Sequence, residues 1–186
     1  MERIVLASQS PRRKQLLEWA EVPFDIIVEA IDEWYPDTMP AAEVPVFIAR
    51  NKALAVKNKL RENRLVLTAD TVVVLEGKVI GKPRDREDAI GILTELAGRR
   101  HEVVTGVVLV KGDKELAFAD TTEVWFHKLT TEQVTFYVDK YKPYDKAGAY
   151  AIQEWIGVVG IKSIRGDFYN VMGLPVSRVV QALENF

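Results

Sequence analysis

The chain of 186 residues has no cysteine and only two histidines. The absence of cysteine excludes disulfide bonds, thiolate metal sites and a cysteine nucleophile. No apolar run approaches the roughly 20 residues that a membrane-spanning helix needs. The net charge of −2 provides no overall attraction to nucleic acid or to an anionic membrane, so any anion site must be local. The first residues do not show the pattern of a secretory signal, and we expect a cytoplasmic protein.

The composition is that of a chain able to bury a core. Hydrophobic residues make up 48% of the sequence and charged residues 28%, a balance typical of globular proteins. This length predicts one domain, over residues 1–186. Helix and strand patterns alternate around a central hairpin at Gly112-Asp113, which predicts an α/β domain with a mixed sheet.

Periodicity and turn residues predict the positions of the elements. Strands are expected at residues 4–7, 24–28, 65–75, 78–80, 101–111, 114–128 and 158–164. Helices are expected from Pro11, over 46–61, 86–97 and 130–140, and from Pro175. His101 and His127 lie in the hairpin strands and are interpreted as structural.

The first strand and the turn after it form the most informative stretch. Residues 4–7 are wholly apolar, as in a strand buried on both faces. Ser10 and Pro11 are a favourable N-cap and first residue for the helix that follows. A helix N-terminus behind a strand directs backbone N–H groups and a positive dipole end at an anion. The same stretch supplies hydroxyl groups and positive charge: Ser8, Ser10, Arg12, Arg13 and Lys14.

Two interpretations of this basic cluster remain open at this point. Many α/β domains begin with such a strand and helix, and basic residues in the first helical turn can simply be solvated. Cations are disfavoured at a helix N-terminus, however, and three in succession indicate that an anion compensates them. The cluster therefore predicts either a polyphosphate site or an ordinary solvated surface.

Two carboxylates are candidates for the chemistry. Asp70 comes where an apolar strand reaches polar surroundings, a frequent place for a catalytic carboxylate in α/β proteins. Its alternative interpretation is a turn cap, which position alone favours. Glu33, beside Asp32, lies in a loop broken by prolines, and a solvated loop is its simpler interpretation.

Two lysines complete the candidates. Lys52 lies on a predicted helix, where a surface role is usual. Lys82 lies in Gly81-Lys82-Pro83, a stiff loop that is unusual for a residue that is only solvated. The loop is not a Walker A motif, because the G-x-x-x-x-G-K-[ST] spacing is absent.

Five motifs occur in order along almost the whole chain: L-A-S-Q-S-P-R-R at 6–13, A-D-T-V-V at 69–73, G-K-P at 81–83, D-K-A-G-A-Y-A-I-Q at 145–153 and N-V-M-G-L-P at 170–175. Together they resemble the Maf family of nucleoside triphosphate pyrophosphatases. The resemblance implies an elongated, two-lobed α/β structure, in which helices flank a mixed sheet. It also implies a relationship to the inosine-triphosphatase-like fold, with a central nucleotide cleft.

The resemblance also implies a reaction and roles for the candidates. The family hydrolyses the α–β phosphoanhydride of a nucleoside triphosphate to the monophosphate and pyrophosphate. Asp70 is then expected to be the general base, and Glu33 and Asp70 to hold a divalent cation, Mg²⁺ or Mn²⁺. The substrate would be bound by eight residues: Ser8, Ser10, Arg12, Arg13, Lys52, Thr71, Lys82 and Gln153. Neither Arg13 nor Lys82 is expected in the core.

The subgroup follows from three of these positions. Arg12, Thr71 and Gln153 match the branch that resembles dTTP/UTP pyrophosphatases. The amide of Gln153 can accept from the N3–H of uracil or thymine and donate to a carbonyl, and the small Thr71 would leave room beside the base. A housecleaning hydrolase of dTTP and UTP is therefore predicted.

Other functions remain as alternatives. One is a hydrolase for other non-standard nucleotides, such as inosine or xanthosine triphosphate. The other is an inhibitor of cell division that acts through a protein partner. Neither polymeric nucleic acid nor a membrane is an expected partner, whereas a homodimer is expected from the resemblance.

Overall fold

The computed structural model describes residues 2–186, which contain seven strands and seven helices. The strands are β1 (Ile4–Leu6), β2 (Phe24–Ile26), β3 (Val66–Leu75), β4 (Lys78–Ile80), β5 (Arg100–Lys111), β6 (Lys114–Phe126) and β7 (Ile161–Arg165). The helices are α1 (Pro11–Trp19), α2 (Val44–Lys57), α3 (Arg86–Leu96), α4 (Thr131–Tyr141), α5 (Trp155–Gly160), α6 (Phe168–Val171) and α7 (Val176–Glu184), with a 3₁₀ turn at Ala147–Ala149.

The strands form one mixed sheet in the order β2-β1-β3-β5-β6-β7, with β4 paired to β3. β1 runs parallel to both β2 and β3, whereas β4 and β7 are antiparallel to their neighbours. The two-residue turn Gly112-Asp113 joins β5 to β6 as predicted. The prediction of an α/β fold with a mixed sheet is confirmed. The elongated shape and the nucleotide cleft stay predictions.

Contacts divide the chain into two compact units. Unit 1 comprises the residues up to Thr71, Thr105–Asp120 and Gly173–Phe186, and unit 2 comprises Val72–Val104 and Thr121–Met172. That residues 1–186 form one domain stays a prediction. No helix of the described residues 2–186 is long and apolar enough to cross a membrane.

The core of unit 1 lies between α2 and the sheet. The helix buries small side chains such as Ala49 and Ala53 against Val5 and Val66. Gly106 of β5 allows an unusually close approach, because a Cβ there would lie 2.2 Å from the backbone nitrogen of Val46. Small residues on both sides therefore hold α2 close to the strands, and α2 carries Lys52.

The core of unit 2 includes an aromatic cluster around a histidine. The ring of His101, on β5, packs edge-on against Phe126 and Tyr150, with centroids 5.1 and 5.5 Å away. Its Nε2 lies 2.7 Å from the Tyr150 hydroxyl, and burial lowers its pKa to about 4. This confirms the structural interpretation of His101, whereas His127 lies one residue beyond the end of β6 and is exposed.

Some element boundaries differ from the sequence prediction. The last strand was predicted over residues 158–164, but Val158 lies in α5 and β7 begins only at Ile161. The N–H of Gly157 bonds the carbonyl of Glu154 and opens a helical turn, which the β-branched pair Val158-Val159 concealed in the sequence. Helix α2 begins at Val44 and includes Pro45, since proline fits the first helical turn.

Candidate active site

The predicted strand, turn and helix at the start of the chain are present. β1 ends at Leu6, and Ser10 is the N-cap of α1, its hydroxyl accepting from the N–H of Arg13 at 3.4 Å. The N–H of Ser10 donates to the hydroxyl of Ser8 at 3.2 Å, and Ser8 is 7% exposed. The two serines therefore shape the turn itself, in addition to any contact with a ligand.

Arg13 lies in the core of this site, contrary to the sequence expectation. It is 9% exposed, and its guanidinium donates to the carbonyl of Gly173 at 2.7 Å, to Ser8 Oγ at 3.2 Å and to Thr71 Oγ1 at 2.9 Å. Burial lowers the pKa of Arg13, and the negative charge of Asp70 opposes that change. The planar guanidinium can serve three acceptors at once, which a solvated arginine would not do.

Thr71 belongs to the same hydrogen-bond network. Its hydroxyl accepts from Arg13 and lies 2.9 Å from the hydroxyl of Thr105, a residue with no exposed surface. These bonds engage the hydroxyl inside unit 1. Thr105 and the Gly173 carbonyl are partners that sequence reasoning did not assign. A threonine within the apolar run 103–110 was the signal that could have identified Thr105.

Asp70 lies within β3, beyond the part of that strand that pairs with β1. The pairing ends with Leu6 opposite Leu67, so β3 extends past the end of β1 and carries Asp70 on the extension. The carboxyl ends of parallel strands commonly form ligand sites, and Ser8 follows β1 at the same edge. The sequence predicts a strand over residues 65–75, and β3 accordingly continues through Asp70 to Leu75.

Lys52 faces Asp70 because of how α2 and β3 are packed. The hydroxyl of Thr68 donates to the carbonyl of Ala49 at 2.8 Å, which fixes the helix against the strand. Thr68 and Asp70 share one face of β3, and Ala49 and Lys52 share one face of α2. The bond between the first pair therefore brings the second pair together.

Lys52 joins two carboxylates. Its Nζ lies 2.8 Å from Asp70 Oδ1 and 2.6 Å from Glu33 Oε1. Burial raises the pKa of Asp70 above its ordinary value, while the positive charges of Lys52 and Arg13 oppose that rise. A buried carboxylate with a raised pKa beside two cations is typical of a catalytic base. The long loop before α2 thus brings Glu33 to the site, although Glu33 itself is exposed.

The acidic residues fit a partial metal site. No cluster of three or more His, Asp or Glu side chains suited to a metal occurs within residues 2–186. Mg²⁺, however, is commonly bound by one or two carboxylates, with phosphate and water oxygens completing the octahedron. Glu33 and Asp70 are such a pair, since both reach the same ammonium group. For a cation to bind this pair, Lys52 would have to give up part of its contact with the two carboxylates.

The remaining predicted residues lie near this network or in unit 2. Arg12 is half-buried beside Arg13, and its charge contributes to the lowered pKa of Arg13. Lys82 and Gln153 are exposed residues of unit 2. The segment 81–83, which carries Lys82, is bonded to the segment 145–153, which carries Gln153: the N–H of Gly148 donates to the carbonyl of Gly81 at 3.0 Å. Gly148 has φ +70°, and a Cβ would lie 2.6 Å from Val73.

Comparison with known proteins places the chain in a family. The model for the Maf family, described as Maf-like protein, matches residues 3–186. The chain belongs to the Maf family. It is also similar over its full length to a HAM1 protein from Coxiella burnetii, with 15% identity, 100% of both chains covered and a TM-score of 0.52. The Ham1 protein from Staphylococcus aureus gives 18% identity, 99% and 98% coverage and a TM-score of 0.51. These two likenesses confirm the fold predicted for this Maf chain.

Several curated relatives of this Maf protein carry the name dTTP/UTP pyrophosphatase. The one from Parabacteroides distasonis is 48% identical over 185 residues, covering 99% of this chain and 96% of the relative. The one from Cytophaga hutchinsonii is 49% identical over 181 residues, with 97% and 83% covered. The one from Bacteroides fragilis is 46% identical over 183 residues, with 98% and 95% covered.

Proposed function

We propose that this Maf protein is a dTTP/UTP pyrophosphatase, a hydrolase that cleaves the α–β phosphoanhydride to a monophosphate and pyrophosphate. The observation that carries the proposal is Asp70, a buried carboxylate with a raised pKa held by Lys52 and close to Arg13. A base at this position needs cations around it when a polyphosphate binds. The names of the relatives that cover nearly the whole chain support the choice of reaction and substrates.

In this proposal Asp70 removes a proton from the attacking water. Lys52 bonds Oδ1 of the carboxylate, and we assign the proton to Oδ2. Lys52, with Arg12, would offset the negative charge of the phosphates, which otherwise repels the base. Glu33 and Asp70 would hold Mg²⁺ or Mn²⁺, which supplies further neutralisation of the phosphate oxygens.

The opening turn would bind phosphate through its hydroxyl groups and through the positive end of the α1 dipole. The Ser8 and Ser10 hydroxyl groups accept from N–H groups of the turn and of α1, and each could still donate its own proton to a phosphate oxygen. Arg13 would contribute charge and also hold Ser8 in place, because Nη1 donates to that hydroxyl. We also assign Lys82 as a phosphate ligand, because it lies in the G-K-P motif at 81–83 that contributes to the Maf resemblance.

Recognition of the base is assigned to Gln153. Its primary amide supplies one acceptor and two donors, which match the N3–H and a carbonyl of uracil or thymine. Thr71 uses its hydroxyl within the Arg13 network, so we assign it an indirect effect on specificity. Arg12 completes the three positions that the motif connects with specificity.

The test is release of pyrophosphate from a panel of nucleotides, with and without Mg²⁺ or Mn²⁺. We expect kcat/KM for dTTP and UTP to exceed that for ATP, GTP and CTP, and activity to depend on the added cation. A preference for inosine or xanthosine triphosphate would contradict the substrate choice and favour the alternative hydrolase. No turnover of any nucleotide would contradict the enzymatic proposal.

Three further expectations accompany the proposal. A cytoplasmic location would give the enzyme access to the nucleotide pool that it hydrolyses. The homodimer stays a prediction, which light scattering at several protein concentrations would test. An effect on cell division also stays a prediction, to be tested with a variant that folds but lacks turnover.

A further inference from the structure

The proposed base-recognising residue lies in a tight turn of unit 2. The N–H of Glu154 donates to the carbonyl of Ala151 at 3.1 Å, so residues 151–154 close a four-residue turn with Gln153 at its third position. Ile152 is buried, whereas Gln153 is exposed. The backbone of the turn therefore sets the position of the Gln153 Cα, from which the side-chain amide extends.

One hydroxyl of α4 bonds both ends of this turn. The hydroxyl of Tyr137 accepts from the N–H of Ala151 at 3.1 Å and donates to the Oε2 of Glu154. Tyr137 has no exposed surface; its bond to Ala151 is buried, and its bond to Glu154 is partly buried. A buried tyrosine needs a partner for its hydroxyl, and here the partners are the first and last residues of the turn.

The turn is also restrained from its other side. Gly157 of α5 packs so closely that a Cβ would lie 1.6 Å from the carbonyl oxygen of Ile152. Lys146, which is 9% exposed, places its ammonium 3.7 Å from Oε1 of Glu154. The carboxylate of Glu154 is thus bonded on one oxygen by Tyr137 and attracted on the other by a cation. The turn that carries Gln153 is held before any ligand arrives.

We propose that Tyr137 is a positioning residue that sets base specificity by fixing the turn that carries Gln153. This inference rests on the proposed function of Gln153. A preformed turn reduces the ordering cost of binding the base, and two hydrogen bonds to an imide need a fixed donor and acceptor. Without the hydroxyl the amide of Gln153 would occupy several positions and discriminate less between uracil and cytosine.

The test compares Tyr137→Phe with the wild type on UTP, dTTP and CTP. We expect KM for UTP and dTTP to rise by about five- to tenfold, with a smaller change in kcat. A change of this size in affinity corresponds to the free energy of one intramolecular hydrogen bond. The preference for UTP over CTP should fall. The matched control is Tyr141→Phe, on the same helix and stacked on Tyr137 with ring centroids 5.0 Å apart. It should keep the wild-type preference.

A double-mutant cycle shows whether Tyr137 acts through Gln153. In a Gln153→Ala background, Tyr137→Phe should leave the UTP to CTP ratio unchanged, because the residue being positioned is gone. Equal effects in both backgrounds would overturn the inference. If Tyr137→Phe does not fold, Glu154→Ala provides a second test. It removes the carboxylate to which the Tyr137 hydroxyl donates, at a partly exposed position, and should also lower the preference for UTP over CTP.

The wild-type measurement separates this inference from the proposed function. If the wild type does not prefer UTP over CTP, the assignment of Gln153 fails and the inference fails with it. If the wild type prefers UTP and both Tyr137→Phe and Glu154→Ala keep that preference, only the inference is overturned.

Discussion

The ammonium of Lys52 lies 2.8 Å from Oδ1 of Asp70, and the same group contacts Glu33 at 2.6 Å. A single cation therefore joins a buried carboxylate on β3 to a carboxylate on a long loop. Its charge offsets repulsion between the two carboxylates, which would otherwise raise the pKa of Asp70 still further.

Asp70→Asn keeps the size of the side chain and removes the proposed base. We expect kcat for UTP to fall by at least about 10²-fold, the usual effect of losing a general base, while UTP binding is kept better than turnover. Steady-state pyrophosphate release and equilibrium binding measure the two quantities. Asp37→Asn, at an exposed position of the loop before α2, is the control and should retain turnover. Near-normal turnover in Asp70→Asn would contradict the assignment.

Lys52→Met leaves the carboxylates of Asp70 and Glu33 without their shared cation. We expect the free energy of unfolding to fall by about 1–3 kcal/mol, because a largely buried carboxylate loses a charged partner. The value of kcat/KM for UTP should fall more than about tenfold. Chemical denaturation and steady-state kinetics provide the measurements, with Lys57→Met on the same helix as control. Unchanged kinetics would show that Lys52 is only a surface lysine.

Arg13→Ala should destabilise the protein as well as weaken substrate binding. It removes the donor to Gly173, Ser8 and Thr71, and we expect the free energy of unfolding to fall by about 2–3 kcal/mol. Arg13→Lys keeps the charge but not the three-way geometry, so it should recover only part of the loss. Thermal melts without ligand test this, and Lys14→Ala, which is exposed, should melt like the wild type. A normal melt of Arg13→Ala would show that its hydrogen bonds do not stabilise unit 1.

Gln153→Glu should change substrate preference without unfolding the protein. The substitution removes the amide donor and sets a carboxylate against a carbonyl of the base. We expect kcat/KM for UTP to fall about tenfold or more, since an unpaired group costs about 1–3 kcal/mol. The comparison uses UTP, dTTP, CTP and GTP, with circular dichroism to check folding. An unchanged ranking of substrates would show that Gln153 does not recognise the base.

His101 predicts a loss of stability in acid. Burial lowers its pKa from 6.5 to about 4, so between these values the unfolded chain binds a proton that the folded protein excludes. The contribution of the neutral His101 to the free energy of unfolding is therefore complete above pH 6.5. It is lost as the pH falls toward 4, by up to about 3 kcal/mol.

Substitution isolates this group from the carboxylates that titrate in the same range. His101→Gln offers an amide to Tyr150 in place of the ring nitrogen and does not titrate, so its free energy of unfolding should vary less steeply with pH. His127→Gln, at an exposed position, should follow the wild type. Parallel curves for the wild type and His101→Gln from about pH 7 to about pH 4 would contradict the prediction.

The sequence by itself determined the local elements around the candidate site. The apolar run before Ser8, the N-cap Ser10 and the turn at Gly112-Asp113 depend on neighbouring residues, and each is present in the structure. Local sequence did not determine the last strand, because Val158-Val159 suits a strand while the turn at Glu154 starts a helix.

Tertiary structure decided what each site residue contacts. The sequence predicts Arg13 outside the core, but the side chain is buried, because its acceptors come from positions as distant in the sequence as Thr71 and Gly173, and no local pattern encodes those bonds. The contact of Lys52 with Asp70 depends on the packing of α2 against β3, through small residues and the bond from Thr68 to Ala49. Burial then raises the pKa of Asp70, because desolvation depends on the whole surrounding fold rather than on the residues beside it in the chain.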